Sequence, residues 1–416
     1  MREMKDSGVE WLGDVPAGWE LHRAKRLFKL TNDRGNDNLT LLAATQKRGM
    51  WPQDRLEGVV RVKDDTDLSK FRTVHKNDYV ISLRSFQGGF ERSDFEGVCS
   101  PAYQTFCAIK PINHQYFKYL FKSPSFIDHM NSLTLGIREG KTIKFDDFAT
   151  QVLPIPPLDE QRCIADYLDE KCVEIDRAVS AAELSIEEYK TYKNSVVCRT
   201  VTKGLDVNVS MKNSGVEWLG EVPEGWRITP IKHLFYISKT IAGRTGFDVL
   251  SITQQGLKVK DIKSGEGQLA SDYSHYQIVE PGDYAMNHMD LLTGWVDLSN
   301  KTGVTSPDYR VFKARTDGVD KRYFLRVFQF YYSARVFYGF CKGISSKGRW
   351  RLPADAFRAI QIPLPPFPEQ HRIADYLDEK CVEINHAIAA KQAIIADLKA
   401  YKQSLIYEVV TGKREV

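Results

Sequence analysis

Side chains that can bond to the bases and phosphates of a nucleic acid are grouped at three places in each half of this chain. Arg, Lys, Asn, Gln and Ser side chains hydrogen-bond to base edges, and Arg and Lys also bind phosphates. In the first half they are Gln46, Lys47 and Arg48, then Arg84, Ser85, Gln87 and Arg92, then Arg138, Lys141 and Lys144. In the second half they are Gln254, Gln255 and Lys258, then Asn287 and His288, then Lys342, Ser345, Ser346, Lys347, Arg349 and Arg351. In a protein that binds a nucleic acid, these groups are the candidate contacts in each half.

Two of the three groups fall at matching positions in the two halves. One group follows Tyr79 or Tyr284, and another follows Gly136 or Gly343. Unrelated surface charges have no reason to align in this way, so the match favours a binding function. For each single residue the sequence leaves open the alternative of a charge that is merely solvated by water.

Motifs for catalysis are weak by comparison. Residues 136–142, GIREGKT, resemble a phosphate-binding loop, but the spacing between the glycines is one residue too short and no strand leads into them. The matching stretch at 343–350, GISSKGRW, lacks the Lys-Thr pair. A glycine-rich methyltransferase loop and a nuclease carboxylate cluster are not found at suitable spacing. We therefore expect no catalytic residue and no metal site in this chain.

Composition sets the broad class of protein. The 416 residues are 42% hydrophobic and carry a net charge of +4, which fits two globular domains and predicts no strong general attraction to nucleic acid. No run approaches the ~20 apolar residues that span a bilayer, and no secretory signal begins the chain, so a cytoplasmic protein is expected. The seven cysteines match neither a disulfide framework nor a zinc site, and we expect reduced, mostly buried thiols.

An internal repeat organises the chain. Residues 4–19, MKDSGVEWLGDVPAGW, return at 211–226 as MKNSGVEWLGEVPEGW. Residues 154–175, PIPPLDEQRCIADYLDEKCVEI, return at 363–384 as PLPPFPEQHRIADYLDEKCVEI. Between these blocks the two halves diverge. Near-identical frames around different middles are expected if the frames do one job twice and the middles do two different jobs.

A long helix is predicted after each proline-rich block, beginning at Glu160 and at Glu369. Apolar residues recur there at spacings of three and four over roughly 40 residues, about 60 Å of helix. Each stripe needs a partner along its length, and the other copy is the obvious one. In the middles, residues 79–83 and 104–109 are predicted strands, and residues 114–133 and 321–339 are predicted helices.

The two GVEWLGxVPxGW openings, the two PPxxEQxxIAxYLD blocks and the half-chain repeat together resemble the specificity subunit of type I restriction-modification systems. The resemblance covers essentially the whole chain. It implies an α+β fold in which two mixed α/β target-recognition domains are separated by two long antiparallel helices, which form a coiled-coil spacer with pseudo-two-fold symmetry. The implied target-recognition domains are residues 1–158 and 205–367. The first spacer helix is residues 159–204, and residues 368–416 contain the second spacer helix and a C-terminal tail.

The resemblance also implies a function and partners. Each domain would read one half of a bipartite, asymmetric site in double-stranded DNA, and the helices would set the spacing between the halves. The subunit would bind two copies of a methyltransferase subunit, as well as restriction subunits that act as motor and nuclease. S-adenosylmethionine, ATP and magnesium would belong to those partners, and this chain would hold no cofactor.

Charges flanking the apolar stripes are the predicted contacts for the methyltransferase copies. They repeat in both helices and are Asp169, Glu170, Lys171 and Glu174 in the first, and Asp378, Glu379, Lys380 and Glu383 in the second. Identical surfaces suit two identical partners, although a recent duplication would also leave them identical. The alternative function is a tandem-repeat DNA-processing enzyme, such as a nuclease, with an unrecognised active site.

Overall fold

The computed structural model describes residues 2–34, 38–45, 48–56, 68–82, 89–133, 143–262, 270, 272–341 and 350–416. The chain divides into two compact units, Met1–Glu183 with Ala393–Val416 (unit 1) and Leu184–Gln392 (unit 2). Each unit therefore contains most of one repeat together with the end of the long helix that begins in the other.

Unit 1 is built on a four-stranded antiparallel sheet with the strand order β4-β11-β8-β9. The strands are β1 (Met4–Asp6), β2 (Asp14–Pro16), β3 (Glu20–Arg23), β4 (Phe28–Thr31), β5 (Leu42–Thr45), β6 (Gly49–Pro52), β7 (Arg72–Val74), β8 (Tyr79–Ile81), β9 (Glu91–Arg92), β10 (Gly97–Cys99), β11 (Gln104–Ala108) and β12 (Val152–Ile155). The helices are α1 (His114–Lys122), α2 (Pro124–Ser132), α3 (Phe145–Ala149) and the long α4 (Leu158–Lys203).

Unit 2 repeats this plan with the sheet order β16-β23-β20-β21. Its strands are β13 (Met211–Asn213), β14 (Glu221–Pro223), β15 (Arg227–Pro230), β16 (Phe235–Ser238), β17 (Leu250–Thr253), β18 (Gly256–Val259), β19 (Gln277–Val279), β20 (Tyr284–Met286), β21 (Val296–Leu298), β22 (Gly303–Thr305), β23 (Arg310–Ala314) and β24 (Gln361–Leu364). Its helices are α5 (Ile231–Leu234), α6 (Lys321–Ser333), α7 (Val336–Gly339), α8 (Ala354–Ala359) and the long α9 (Phe367–Val410). The predicted α+β class, internal repeat and long helices are confirmed.

Aromatic side chains fill the space between each sheet and its helices. Phe28 in unit 1 and Phe235 in unit 2 hold equivalent central positions, and both are almost fully buried. The ring of Phe28 contacts those of Tyr79, Phe106, Phe117, Phe121 and Phe148, and the ring of Phe235 contacts those of Tyr284, Phe312, Phe324 and Phe328. Large buried rings supply much of the apolar surface that folding removes from water. Each sheet therefore packs on an aromatic core of its own, and the two cores are built in the same way.

The two helices predicted in the middles are each broken in the structure. Residues 114–133 form α1 and α2, separated at Ser123, whose extended backbone precedes Pro124. Proline disfavours helical geometry in the residue before it and lacks an N–H group, so the break follows from the sequence. Residues 321–339 form α6 and α7, separated at Arg335, which adopts a left-handed φ of 57°. Both ranges predicted to be helical are therefore helical, and each is divided into two helices.

The long helices run antiparallel where they meet within unit 1. Lys402 on α9 bonds to Asp176 on α4 at 2.7 Å, and Lys399 lies 3.6 Å from Glu183. Residue numbers rise along α4 while they fall along α9, so the two helices are antiparallel there. The apolar stripe of α4 is buried at Ile164, Leu168, Cys172, Ile175, Val179, Ala182 and Ile186.

Hydrogen bonds join the part of each unit that contains the sheet to the end of a long helix. The Tyr116 hydroxyl in α1 donates to the carbonyl of Val410, near the end of α9, at 2.9 Å. The equivalent Tyr323 in α6 donates to the carbonyl of Val201, near the end of α4, at 3.2 Å. Both hydroxyls are buried, so each bond satisfies a polar group that water does not reach.

All seven cysteines are free thiols. Cys99, Cys172 and Cys381 are buried, Cys163 is exposed, and the other three are partly buried. The expectation of mostly buried thiols is thus met fully by only three of them. Within the described ranges no helix is long and apolar enough to cross a membrane.

Candidate nucleic-acid interface

Two equivalent hairpin turns carry the first predicted group of each half. The turn between β5 and β6 holds Arg48, and the turn between β17 and β18 holds Gln254 and Gln255. Gln254 and Gln255 are exposed at the tip of the hairpin. The structure therefore places this third pair of groups at matching positions as well, which the sequence comparison missed. The signal was present as the shared spacing Leu-x-x-Thr-Gln at residues 42–46 and 250–254.

A threonine closes each of these turns in the same way. The Thr45 hydroxyl donates to the carbonyl of Gly49 at 2.9 Å, and the Thr253 hydroxyl donates to the carbonyl of Gly256 at 2.8 Å. Both threonine oxygens also accept a backbone N–H from within the turn at 3.1 Å. A turn whose backbone is fixed in this way can present its polar side chains in a defined direction.

Cationic side chains lie on or beside both hairpins. The exposed Arg48 guanidinium lies 5.2 Å from the ring centre of Trp51, and that ring packs edge-on against Phe95. Lys258 on β18 is exposed and bonds to Gln255 across the turn. Both cations remain accessible to a phosphate or a base edge.

Arg92 and Lys144 differ in their availability. The Arg92 guanidinium bonds to Asn77 at 3.2 Å and to Asp94, and its side chain is only 13% exposed. Lys144 is exposed at the start of α3, where its backbone N–H donates to Asp147 at 2.9 Å. Of the two, Lys144 is the more accessible cation.

Asn287 and His288 follow β20, and their surroundings are largely internal. The Asn287 side chain accepts from the backbone of Met289 at 3.2 Å. His288 is 7% exposed. Burial, followed by the charges of Arg310 and Arg351, lowers the pKa of the His288 imidazole to about 3. The imidazole is therefore neutral at ordinary pH, and it lies inside the domain and not on its surface.

Arg351 is exposed beside this buried imidazole. The remaining predicted contacts lie outside the described residues, and they are Gln46, Lys47, Arg84, Ser85, Gln87, Arg138, Lys141, Lys342, Ser345, Ser346, Lys347 and Arg349. The phosphate-loop-like stretch 136–142 lies outside them too. These residues stay predictions.

The repeated charges on the long helices fall into two kinds. The carboxylate of Asp169 accepts from Gln115 and Tyr119, each at 2.6 Å, and Asp378 accepts from Arg326 at 2.8 Å. These two carboxylates are engaged within their own units.

The other six charges face solvent in both helices. Lys171 bonds to Glu174 at 2.8 Å, and Lys380 bonds to Glu383 at 2.7 Å. Glu170 and Glu379 are exposed on the same faces. An exposed valine lies in the middle of each face, Val173 at 47% and Val382 at 52%.

A groove of about 590 Å³ in unit 2 was not predicted from the sequence. Lys190 and Lys193 on α4, Arg326 on α6 and Arg335 line it, and Gln254 reaches it from the hairpin turn. No single segment of the sequence reveals this groove, because its cations come from distant parts of the chain. Over the described part of the chain no cluster of three or more His, Cys, Asp or Glu side chains could hold a metal ion.

The family described as "Type I restriction modification DNA specificity domain" matches residues 16–177 and 257–392. The putative type I restriction enzyme MjaX specificity subunit of Methanocaldococcus jannaschii is 22% identical over 445 residues, covering 97% of this chain and 96% of that protein. The MjaVIII specificity subunit of the same organism is 23% identical over 282 residues, covering 64% of this chain and 62% of that protein.

Two solved structures share this fold over nearly the whole chain. A chain from "Structural basis underlying complex assembly and conformational transition of the type I R-M system" has a TM-score of 0.69, with 15% identity and coverage of 96% of this chain and 99% of that one. The HsdS subunit from Thermoanaerobacter tengcongensis has a TM-score of 0.52, with 15% identity and coverage of 96% and 98%.

Proposed function

This chain belongs to the type I restriction modification DNA specificity domain family, and we propose that each of its two units reads one half of a bipartite, asymmetric DNA site. The observation that carries this proposal is the pair of equivalent hairpins. A turn closed by a threonine presents Arg48 in unit 1 and Gln254 with Gln255 in unit 2, and the turn of unit 1 is one residue longer. One scaffold with different side chains at its tip would read different bases.

Three contacts with DNA are proposed in each unit. The hairpin turns, the segments after β8 and β20, and the segments that begin at Gly136 and Gly343 supply the polar side chains. Buried His288 shapes the domain beneath this surface, while exposed Arg351 is available to the DNA. Arg92 is held by Asn77 and Asp94, so its proposed role is to position β9.

Partners are proposed because the two long helices repeat the same exposed surface. The faces formed by Glu170, Val173 and Glu174 and by Glu379, Val382 and Glu383 present the same side chains in the same order. Two copies of a methyltransferase subunit would each bind one face, and restriction subunits would join that complex. Catalysis, with S-adenosylmethionine, ATP and magnesium, would reside on those partners, and the complex would act on DNA in the cytoplasm.

The alternative of a tandem-repeat nuclease finds no support, because the relatives along the full chain are specificity subunits. The proposed function is tested by incubating the full-length chain with a library of randomised DNA duplexes and sequencing what is retained. Two unlike half-sites at a fixed separation are expected. A palindromic site, or no enrichment over the input library, would contradict the proposal.

A further inference from the structure

Among the described residues, the side chains that line the groove of unit 2 include four cations and no carboxylate. Its walls carry Lys190, Lys193, Arg326 and Arg335, the amides of Asn194, Gln254, Gln329 and Asn385, and apolar side chains that include the half-exposed Leu292. Clefts lined by one sign of charge concentrate ions of the opposite sign. The groove is therefore suited to an anion that is long enough to meet several of its cations.

Two of these four cations have a carboxylate partner in the described part of unit 2, and two do not. Arg326 is paired with Asp378 at 2.8 Å, and Lys190 forms an exposed pair with Glu187 at 2.7 Å. Lys193 donates only to the amide oxygen of Asn385, at 2.9 Å. Among the described residues neither Lys193 nor Arg335 lies within 4.0 Å of a carboxylate oxygen.

The matching lysines of unit 1 are neutralised. When α4 and α9 are aligned on Ile164 and Ile373, Lys190 and Lys193 correspond to Lys399 and Lys402. Lys402 bonds to Asp176 at 2.7 Å, and Lys399 lies 3.6 Å from Glu183.

In unit 2 both of these acids are replaced by amides. Asp176 corresponds to Asn385, and Glu183 corresponds to Gln392. These two acid-to-amide differences remove the carboxylates that face the matching lysines in unit 1. The two helices also differ at other positions beyond the shared block, for example at Glu187, which corresponds to Ala396.

We propose that this groove binds the phosphate backbone of duplex DNA, and that the corresponding surface of unit 1 does not. The inference rests on the proposed function, since it takes the reading turn of β17 and β18 as a DNA contact. Gln254 belongs both to that turn and to the groove wall, so DNA held at the turn has its backbone beside Lys193. Duplex DNA carries one negative charge per ~1.7 Å of its axis, which suits a groove with several cations.

The test compares two matched pairs of lysines in the full-length chain. Binding of fluorescent duplexes, one with the selected site and one scrambled, is measured by anisotropy from roughly 50 to 200 mM salt. K190Q/K193Q is expected to weaken binding to both duplexes alike and to reduce the slope of log K against log salt by about 1 to 2, since each lost phosphate contact removes ~0.9. K399Q/K402Q is the control and should retain the wild-type slope.

A second variant tests the charge of the groove with its lysines in place. N385D/Q392E introduces into α9 the acids that neutralise the lysines of unit 1, and it should reduce the slope as K190Q/K193Q does. Wild-type slopes in both unit 2 variants, or an equal loss in the unit 1 control, would overturn the inference while leaving the proposed function standing. A wild-type chain without salt-dependent DNA binding would overturn both.

Discussion

The indole Nε1 of Trp19 donates a hydrogen bond of 2.9 Å to Glu160 and so joins the first repeated sequence block to the second. Trp226 donates to Glu369 in the same way at 3.0 Å. The two blocks that recur nearly unchanged along the chain therefore contact each other in both units. Their similarity reflects a shared structural role. In each unit the first block binds the start of the long helix that the second block forms.

Removing this bond should destabilise unit 2. W226F leaves the Glu369 carboxylate without its indole donor, and the loss of a bond to a charged group costs about 1.5–3 kcal/mol of the free energy of unfolding. Because Trp226 is 1% exposed, the smaller ring also leaves a void that adds to this loss. E369Q keeps an acceptor oxygen and should cost less. Denaturant unfolding of the full chain measures both variants, and a W226F protein as stable as wild type would count against the role given to this bond.

A glycine at the end of α9 allows a close approach in unit 1. Gly412 has a φ of 74°, and a Cβ atom there would lie 2.5 Å from Cδ of Pro16 and 2.9 Å from Cη2 of Trp19. Gly8 has a similar φ of 65° but open space around the position of its Cβ. G8A should cost about 1 kcal/mol for the left-handed backbone alone, and G412A about 1–3 kcal/mol more because the neighbours must move. The denaturant concentration at the unfolding midpoint measures both variants. Equal midpoints would show that the segment around Gly412 does not pack closely against Pro16 and Trp19.

The buried imidazole of His288 makes stability depend on pH. The unfolded chain protonates this histidine near its ordinary pKa of 6.5, whereas the folded chain does so only near 3. Its contribution is fully present above pH 6.5 and is lost as the pH falls toward 3, because the unfolded state then binds the extra proton. Between pH 7 and pH 5, wild type should lose about 2 kcal/mol more stability than H288Q.

Denaturant unfolding of both proteins at pH 5, 7, 8 and 9 measures this difference. Between pH 9 and pH 8 the unfolded chain does not yet protonate this histidine, so wild type and H288Q should change in parallel, which is the control. If H288Q also follows the wild-type curve between pH 7 and pH 5, His288 is not buried in its neutral form.

The exposed valines on the long helices test the partner surface. V173D or V382D alone should leave one methyltransferase subunit bound, and the double variant should leave none, because a carboxylate would be desolvated at each interface. The control L184D alters a more exposed apolar position, 67% exposed in the wild type, which is occupied by Ala393 in the other helix. It should bind two. Light scattering of complexes with purified methyltransferase gives the stoichiometry, and two bound subunits on the double variant would place the interface elsewhere.

Patterns in short stretches of sequence predicted the helices and strands whose formation depends on neighbouring residues. The long helices follow from apolar residues at spacings of three and four, and the strand at 104–108 follows from its apolar, β-forming residues. The strand order β4-β11-β8-β9 did not follow, because it depends on pairings between distant segments that no local pattern records. The break at Pro124 could have been predicted, whereas the left-handed turn at Arg335 has no such signal.

The sequence could identify the types of residue that form the candidate site, but not whether each side chain is buried or exposed. The equivalent hairpin turns could have been aligned through Thr45 and Thr253. The burial of His288 could not be inferred, since asparagine and histidine after a strand suit a surface loop equally well. The groove of unit 2 required the tertiary structure, because α4, α6 and the β17–β18 turn are far apart in sequence.

The proposal that the two units read their half-sites independently is tested by exchanging residues 19–154 of unit 1 for the corresponding segment of a related specificity subunit. The sites methylated by the assembled complex are mapped by sequencing. We expect a new sequence in one half-site, with the other half-site and the gap between them unchanged. A change in both half-sites, or in neither, would contradict it.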